Sequence, residues 1–359
     1  MKVAVLGSGN GGCAVAFRWA KDGHDVFLFD FEDFPDNIDA ISKNGGIYSE
    51  GQLKGFTKVK YAGHDIRCTV DEADIIFAVG PAYSTEAFAK VVKPYLKPGQ
   101  TIIVCPGSCG GAIVFKNALG LNLEDEKYII AETSTLPYAV RVTEPGKIRI
   151  FLELKGGVYL AALPSKNTED VYKLAKDVFP MLEPAKNVFQ TTLQNGNPVI
   201  HPAVVLLNAG LVDRTNGDFY FYEEGVTKAV GRLIEGLDNE RIALGKELGL
   251  DILAEPVIGI KEGYMQEATY DRGYIEADGF KGIKALSSLD SRFFNEDVAF
   301  GLVFMSELGK RVGVKTPTMD AVIEIASVIM RRDYRKAGER TPKTLGLDNY
   351  SISEIMRIL

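Results

Sequence analysis

Three histidines, one well-placed arginine and a glycine cluster are the residues of this 359-residue chain whose types and spacing could do chemistry. Histidine has the unperturbed pKa that suits proton exchange near neutral pH. His24 falls in the turn Asp22-Gly23-His24 and reads as a surface residue, while His64 lies in a stretch without clear periodicity. His201 is different. It stands in Asn195-Gly196-Asn197-Pro198-Val199-Ile200-His201-Pro202, where alternating strand and helix patterns give way to long helical ones. Pro202 suits a first helical position, so the spacing places His201 at a helix start, at a domain junction of the kind ligands favour. The alternative is a buried histidine satisfied by backbone. Arg292 enters a second helix start, Ser291-Arg292-Phe293-Phe294-Asn295-Glu296-Asp297. Its guanidinium fork fits a substrate carboxylate. The alternative there is capping by Asn295, Glu296 and Asp297, with Arg292 in a surface ion pair.

The glycines read more specifically. Gly7-Ser8-Gly9-Asn10-Gly11-Gly12 is G-x-G-x-x-G, preceded by the apolar run containing Val3, Val5 and Leu6 and followed by a helical pattern from Asn10 to Lys21. Gly7 permits a tight turn, Gly9 lets backbone approach a pyrophosphate, and Gly12 lets the helix pack closely. The helix start then offers free N–H groups to an anion. A second strand, Val26 to Phe29, ends at Asp30. A carboxylate there accepts from a ribose diol and repels a 2′-phosphate. With Glu32 and Asp33 close behind and no nearby Arg or Lys, the reading is NAD rather than NADP. The strand Asp74 to Pro81 ends in Gly-Pro, which brings Pro81 to the cofactor crevice. The expected cofactor contacts are therefore Gly7, Gly9, Asn10, Gly12, Asp30 and Pro81.

Elements of the right kind surround these residues. A short helix is expected over 35–43, two short strands within 47–66, an amphipathic helix over 83–95 and a strand over 101–105. That strand runs into a second glycine-rich turn, Pro106-Gly107-Ser108-Cys109-Gly110-Gly111. Another strand, 128–131, feeds Glu132-Thr133-Ser134-Thr135. Residues 147–155 and 157–163 read as a hairpin across Gly156-Gly157, followed by a helix capped by Asn167 or Thr168. This alternation predicts an α/β Rossmann dinucleotide-binding domain over 1–190. Helical patterns at 202–213, 223–249, 252–265, 295–312 and 316–331, with a terminal helix from Ser351, predict an all-α domain over 191–359. With 46% hydrophobic and 25% charged residues, the chain can build a core in each.

Composition removes several classes. A net charge of −7 gives no support to a nucleic-acid partner. The longest stretch free of formal charge, Asn187 to Val212, is broken by polar residues and two prolines, so no membrane span is expected. The first strand follows the initiator Met directly, which leaves no room for a signal peptide. Cys13, Cys68, Cys105 and Cys109 lack metal-ligand spacing, so no metal is expected, and free thiols suit a reducing cytoplasm. A homodimer is compatible with a helical second domain, but no apolar stripe argues for one.

Several motifs together make the chain similar to the opine dehydrogenase family: GSGNGG at 7–12, PGSCGGA at 106–112, ETS at 132–134, HPAVVLLNAG at 201–210 and SRFFNEDVAFGLV at 291–303. The resemblance implies a Rossmann domain followed by a helical domain, with the active site between them. It implies NADH-dependent reductive condensation of an L-amino acid with a 2-oxo acid, usually pyruvate. His201 then matches the catalytic histidine and Asp297 its partner carboxylate. Arg292 matches the arginine that binds the substrate carboxylate, and Thr133 a strand-end position near the oxo acid. N–H groups of the turn 107–111 are expected to share the oxo-acid carboxylate. Two rivals stand beside it. Glycerol-3-phosphate and ketopantoate reductases share the plan but use a catalytic lysine, and Lys228, Lys246 and Lys261 lie in no matching motif. A sensor that binds NAD without turnover would need the 7–12 turn and Asp30, but not His201, Arg292 and Asp297.

Overall fold

The computed structural model describes residues 1–338 and 340–359, which form two compact units. The first comprises Met1–Thr191 together with Ile358–Leu359, the second Thr192–Arg357. The last two residues therefore leave the helical domain to which the sequence assigned them. Both are buried, and the Leu359 carbonyl accepts from the Ser165 N–H at 2.9 Å.

The first unit holds twelve strands among its described residues: β1 Lys2–Leu6, β2 Asp25–Phe29, β3 Gly46–Gly51, β4 Gly55–Lys58, β5 Tyr61–Gly63, β6 Ile75–Ala78, β7 Thr101–Val104, β8 Ile129–Thr133, β9 Tyr138–Glu144, β10 Lys147–Glu153, β11 Val158–Leu163 and β12 Leu182–Pro184. Eight form one sheet in the order β12-β11-β8-β7-β6-β1-β2-β5, parallel except where β11 meets β8. Strands β1, β6 and β7 are apolar runs buried on both faces, as parallel strands covered by helices must be. The chain winds outward from β1 to β2 and β5, then returns to the other side of β1 with β6. That reversal opens a crevice at the carboxyl ends of β1 and β6, where such sheets bind ligands.

A second sheet, β4-β3-β10-β9, has no counterpart in the sequence expectation. The hairpin across Gly156-Gly157 is also corrected. β10 pairs with β3 and β9 in the small sheet, whereas β11 pairs with β8 and β12 in the large one. The two glycines carry the chain between sheets rather than around a turn within one. The segment 47–66 holds parts of three strands, not two.

The second unit is helical. The helix Asn197–Leu207 is buried from Pro198 through Val205. Its Pro at the start is Pro198, and Pro202 lies inside the helix. The sequence expectation of His201 at a helix start is therefore wrong by one turn. Asn197 and Pro198 form the first turn, and Pro202 has no N–H to give the Pro198 carbonyl. The long helix Lys228–Glu247 starts later than expected because Thr227 caps it, its hydroxyl accepting from the Val230 N–H. This helix buries Val230, Ile234, Leu237 and Leu244 at helical spacing. It also buries an ion pair, Asp238–Arg241, with both side chains fully inaccessible. The expected helix over 295–312 is instead a π-helical turn, Asp297–Leu302, continued by the α-helix Val303–Val312.

Candidate active site

In the first unit the glycine turn is built as its spacing implies. Gly7 has φ 101°, and a Cβ there would meet the Val79 carbonyl oxygen at 2.2 Å. A Cβ on Gly12 would overlap the Gly7 carbonyl oxygen at 1.8 Å, so helix and turn touch backbone to backbone. Gly9 differs, because among the described residues no atom beyond its own immediate stretch of chain lies within 4 Å of where its Cβ would be. The helix Asn10–Lys21 starts there with no side-chain cap and no acid in its first turn. Open space beside uncapped N–H groups is what a pyrophosphate requires.

Asp30, at the end of β2, is 8% exposed. One carboxylate oxygen accepts from the Ser8 N–H at 2.7 Å and from the Ser8 hydroxyl at 2.6 Å. The other accepts from the Phe31 N–H at 2.9 Å. Asn10 ties the turn to β9 by accepting from the Val142 N–H at 2.7 Å. Pro81 follows β6, whose Ala78 pairs with Leu6 of β1, so it lies at the same sheet end as the glycine turn. The residues present therefore fit a nicotinamide dinucleotide. His64, set aside in the sequence, lies beside them, its Nδ1 2.8 Å from the Asp30 carbonyl oxygen.

The second glycine-rich turn is built differently. Glu132 of β8 is fully buried beneath it. Its carboxylate accepts from the Ala112 N–H at 2.8 Å and from the Thr191 hydroxyl at 2.5 Å. This N-terminus is already met by a carboxyl group of the chain at the Ala112 N–H, which weighs against the expectation that the turn 107–111 shares the oxo-acid carboxylate. Thr133 is also turned inward: it is 2% exposed, and its hydroxyl donates to the Thr135 carbonyl at 3.0 Å.

In the second unit, residues 96 positions apart meet. His201 Nδ1 lies 2.8 Å from Asp297 Oδ2, with side chains 6% and 8% exposed. The close approach of their two segments depends on Gly301, where a Cβ would stand 2.5 Å from the Pro198 ring. A buried carboxylate on Nδ1 fixes the tautomer, so Nε2 carries the lone pair. Phe293 covers the imidazole, its ring centroid 4.2 Å away. Arg292, the preceding residue, is exposed, with its guanidinium 5.7 Å from the Phe293 ring and no ion pair among the described residues. The surface ion pair left open by the sequence is not made.

The sequence reading missed Tyr222, whose hydroxyl is 3.2 Å from His201 Nε2. The aromatic run Phe219-Tyr220-Phe221-Tyr222 was the available signal. It also missed a second buried polar network in the same unit. Asp238 accepts from the Glu255 N–H and the Tyr270 hydroxyl, while Arg241 donates to the carbonyls of Leu193 and Leu253. Burial, and next the charge of Asp238, pushes the Glu255 carboxyl well above the usual range, and the Tyr274 hydroxyl bonds to it. Among the described residues no group of three or more His, Cys, Asp or Glu is arranged to hold a metal, and no helix is long and apolar enough to cross a membrane.

A dinucleotide turn in one unit and a buried His–Asp pair beside an exposed arginine in the other define a two-domain nicotinamide-dependent dehydrogenase. Residues 184–330 match the family model for the α-helical domain of NAD/NADP octopine/nopaline dehydrogenase. Residues 2–107 match the model for the N-terminus of NAD-dependent glycerol-3-phosphate dehydrogenase, the nearest rival, so the helical unit carries the distinction. An opine dehydrogenase of Arthrobacter sp. (strain 1C) is 36% identical, the match covering 98% of this chain and 97% of that protein. Among solved structures, octopine dehydrogenase with NADH and agmatine superposes with a TM-score of 0.79 at 19% identity, covering 99% of this chain and 98% of the other. Yersinopine dehydrogenase bound to NADP+ gives 0.73 at 16% identity, covering 99% and 98%. The chain belongs to the opine dehydrogenase family and is an NAD-dependent oxidoreductase. The reaction expected from the sequence, NADH-dependent reductive condensation of an amino acid with a 2-oxo acid, is the one this family carries.

Proposed function

We propose that this chain condenses an L-amino acid with pyruvate, with His201 moving the protons and Asp297 orienting it. The observation that carries the reading is the buried 2.8 Å hydrogen bond between those two side chains. Condensation requires a proton to be taken from the attacking amine and one to be given to the departing hydroxyl. An imidazole whose Nδ1–H is held by a carboxylate does both through Nε2. Arg292, exposed and without an ion pair among the described residues, holds the oxo-acid carboxylate through its fork. The buried Thr133 hydroxyl is left out of the substrate contacts.

Gly7, Gly9, Asn10 and Gly12 form the turn that holds the pyrophosphate, Asp30 takes the ribose, and Pro81 lines the same sheet end. NADH, when bound, supplies the hydride. NAD is favoured over NADP because Asp30, Glu32 and Asp33 place three carboxylates where a 2′-phosphate would sit. Four free thiols suit a cytoplasmic enzyme. For the homodimer that the helical domain is compatible with, the helix Pro317–Met330 offers a face, where Ile325, Val328 and Ile329 stand exposed one turn apart.

The test is NADH oxidation with pyruvate alone, then with pyruvate and pooled L-amino acids. Oxidation that needs both substrates is the expected result, and pyruvate turnover without an amine overturns it. His201→Ala should lower turnover by roughly 100-fold or more, the usual size of acid–base help, with NADH affinity unchanged.

A further inference from the structure

The nitrogen of His201 that must serve the substrate is already engaged. Asp297 accepts from Nδ1, which leaves the lone pair on Nε2, and the Tyr222 hydroxyl donates to it at 3.2 Å. The imidazole is buried, and Tyr222 is 7% exposed. The phenol is also clamped. Its ring lies 4.1 Å from that of Phe280 at 18°, and edge-on to Phe221 at 4.9 Å. Tyr274 runs parallel to it at 6.3 Å and is itself tied by its hydroxyl to buried Glu255. Swinging Tyr222 aside would undo this stack, whereas passing a proton through its hydroxyl requires no side chain to move.

We propose that Tyr222 is a further catalytic residue, whose hydroxyl relays the proton between His201 Nε2 and the substrate. This rests on the assignment of His201 and Asp297 above. In the condensation direction, protonated His201 gives its Nε2 proton to the Tyr222 oxygen as Tyr222 gives its own proton to the departing hydroxyl of the carbinolamine. The C–O bond breaks, the nitrogen lone pair closes the C=N bond, water leaves, and the positive charge passes from imidazolium to iminium. No electrons are gained or lost in the step, and hydrolysis runs it backwards.

Tyr222→Phe keeps the ring and its stack, so melting and NADH affinity should match wild type. The single-turnover rate of NADH oxidation with amino acid and pyruvate should fall on the order of 100-fold, with the KM for pyruvate within about twofold. In H2O–D2O mixtures the wild-type single-turnover rate should curve as two protons in flight require, and the variant's should be linear. A variant within about threefold of wild type, beside an inactive His201→Ala enzyme, overturns the relay and leaves the His–Asp assignment standing. Near-normal turnover of both variants overturns both. A raised KM with unchanged rate reduces Tyr222 to positioning and also overturns the relay. Should the variant not fold, a linear wild-type dependence alone overturns it.

Discussion

The first unit contains two glycine-rich strand-to-helix turns, 7–12 after β1 and 106–111 after β7, and they have opposite fates. At the first, the helix N-terminus faces open space at Gly9, with no acid in its first turn. At the second, Glu132 is buried under the turn and accepts from the Ala112 N–H. Ser108, Cys109 and Gly110 are all held in the left-handed region above it. Both N-termini attract negative charge. One is left for a ligand, and the chain itself satisfies the other. For a substrate carboxylate to use the second turn it would have to displace Glu132, and stranding a buried carboxylate costs several kcal/mol. A hydrogen bond to a charged group returns about 1.5–3 kcal/mol. Displacement loses. Glycine content alone therefore does not mark a binding turn; what matters is whether the fold brings its own anion.

The sharpest way to break this contrast is a pair of substitutions. Gly9→Val places a side chain where no protein atom stands, so the melting temperature should hold within about 2 °C. NADH should bind roughly 100-fold more weakly, corresponding to about 2.7 kcal/mol, or one to two charge-assisted hydrogen bonds. Gly107→Ala should do the reverse. Its Cβ would stand 2.5 Å from Glu132 Cδ, and that carboxyl is pinned by the Ala112 N–H and the Thr191 hydroxyl. Overpacking of about 1–3 kcal/mol should lower melting by several degrees, with NADH affinity within about threefold. Thermal melts and NADH fluorescence titrations decide it, and exchanged outcomes refute the contrast.

The same two turns show what was legible in the sequence. The first is encoded locally: backbone contacts between Gly7 and Gly12 fix the glycine spacing within six residues, and Asp30 follows one βα unit later. The plug in the second turn is a carboxylate twenty residues downstream, delivered by the neighbouring strand, and spacing along the chain carries no trace of it. The small sheet stayed hidden for the same reason, since β3 and β10 pair across about a hundred residues. In the helical unit, residue type and position singled out His201 and Arg292, while the motif resemblance supplied their matched roles and brought in Asp297 as the partner carboxylate. Periodicity misplaced the start of the His201 helix, choosing Pro202 over Pro198. It could not foresee a π-helical turn at Asp297, which departs from the 3.6-residue repeat. Tyr222 was one aromatic among many until the fold set its hydroxyl on Nε2.

A smaller effect is expected from Glu132→Gln. The amide keeps the shape and one acceptor oxygen but gives up the other, which the Ala112 N–H or the Thr191 hydroxyl uses, a loss of about 1–2 kcal/mol. Melting should fall by a few degrees while the KM for the oxo acid stays within about twofold. A tenfold rise in that KM would make the second turn a substrate site after all.

The finest probe is thiol labelling, because each turn has cysteines behind it. Cys13 lies under the first, its Sγ 3.0 Å from the Ser8 carbonyl oxygen, and burial pushes its pKa to about 12. Cys105 leads into the second and is likewise pushed to about 12 by burial, while Cys109 within that turn is 1% exposed. Cys68 is exposed, with Asp65 raising its pKa. An aromatic disulfide reagent should therefore titrate one thiol quickly in the native protein and four in denaturant, since the thiolate is the reacting form. The slow native reaction reports local opening. Saturating NADH should slow labelling of Cys13 severalfold by holding the first turn, and leave Cys105 and Cys109 unchanged. Pyruvate should protect neither of the latter two. Ligand protection at Cys105 or Cys109 equal to that at Cys13 would mean that the second turn also closes on a ligand, and the distinction between an open and a self-filled helix N-terminus would fail for this fold.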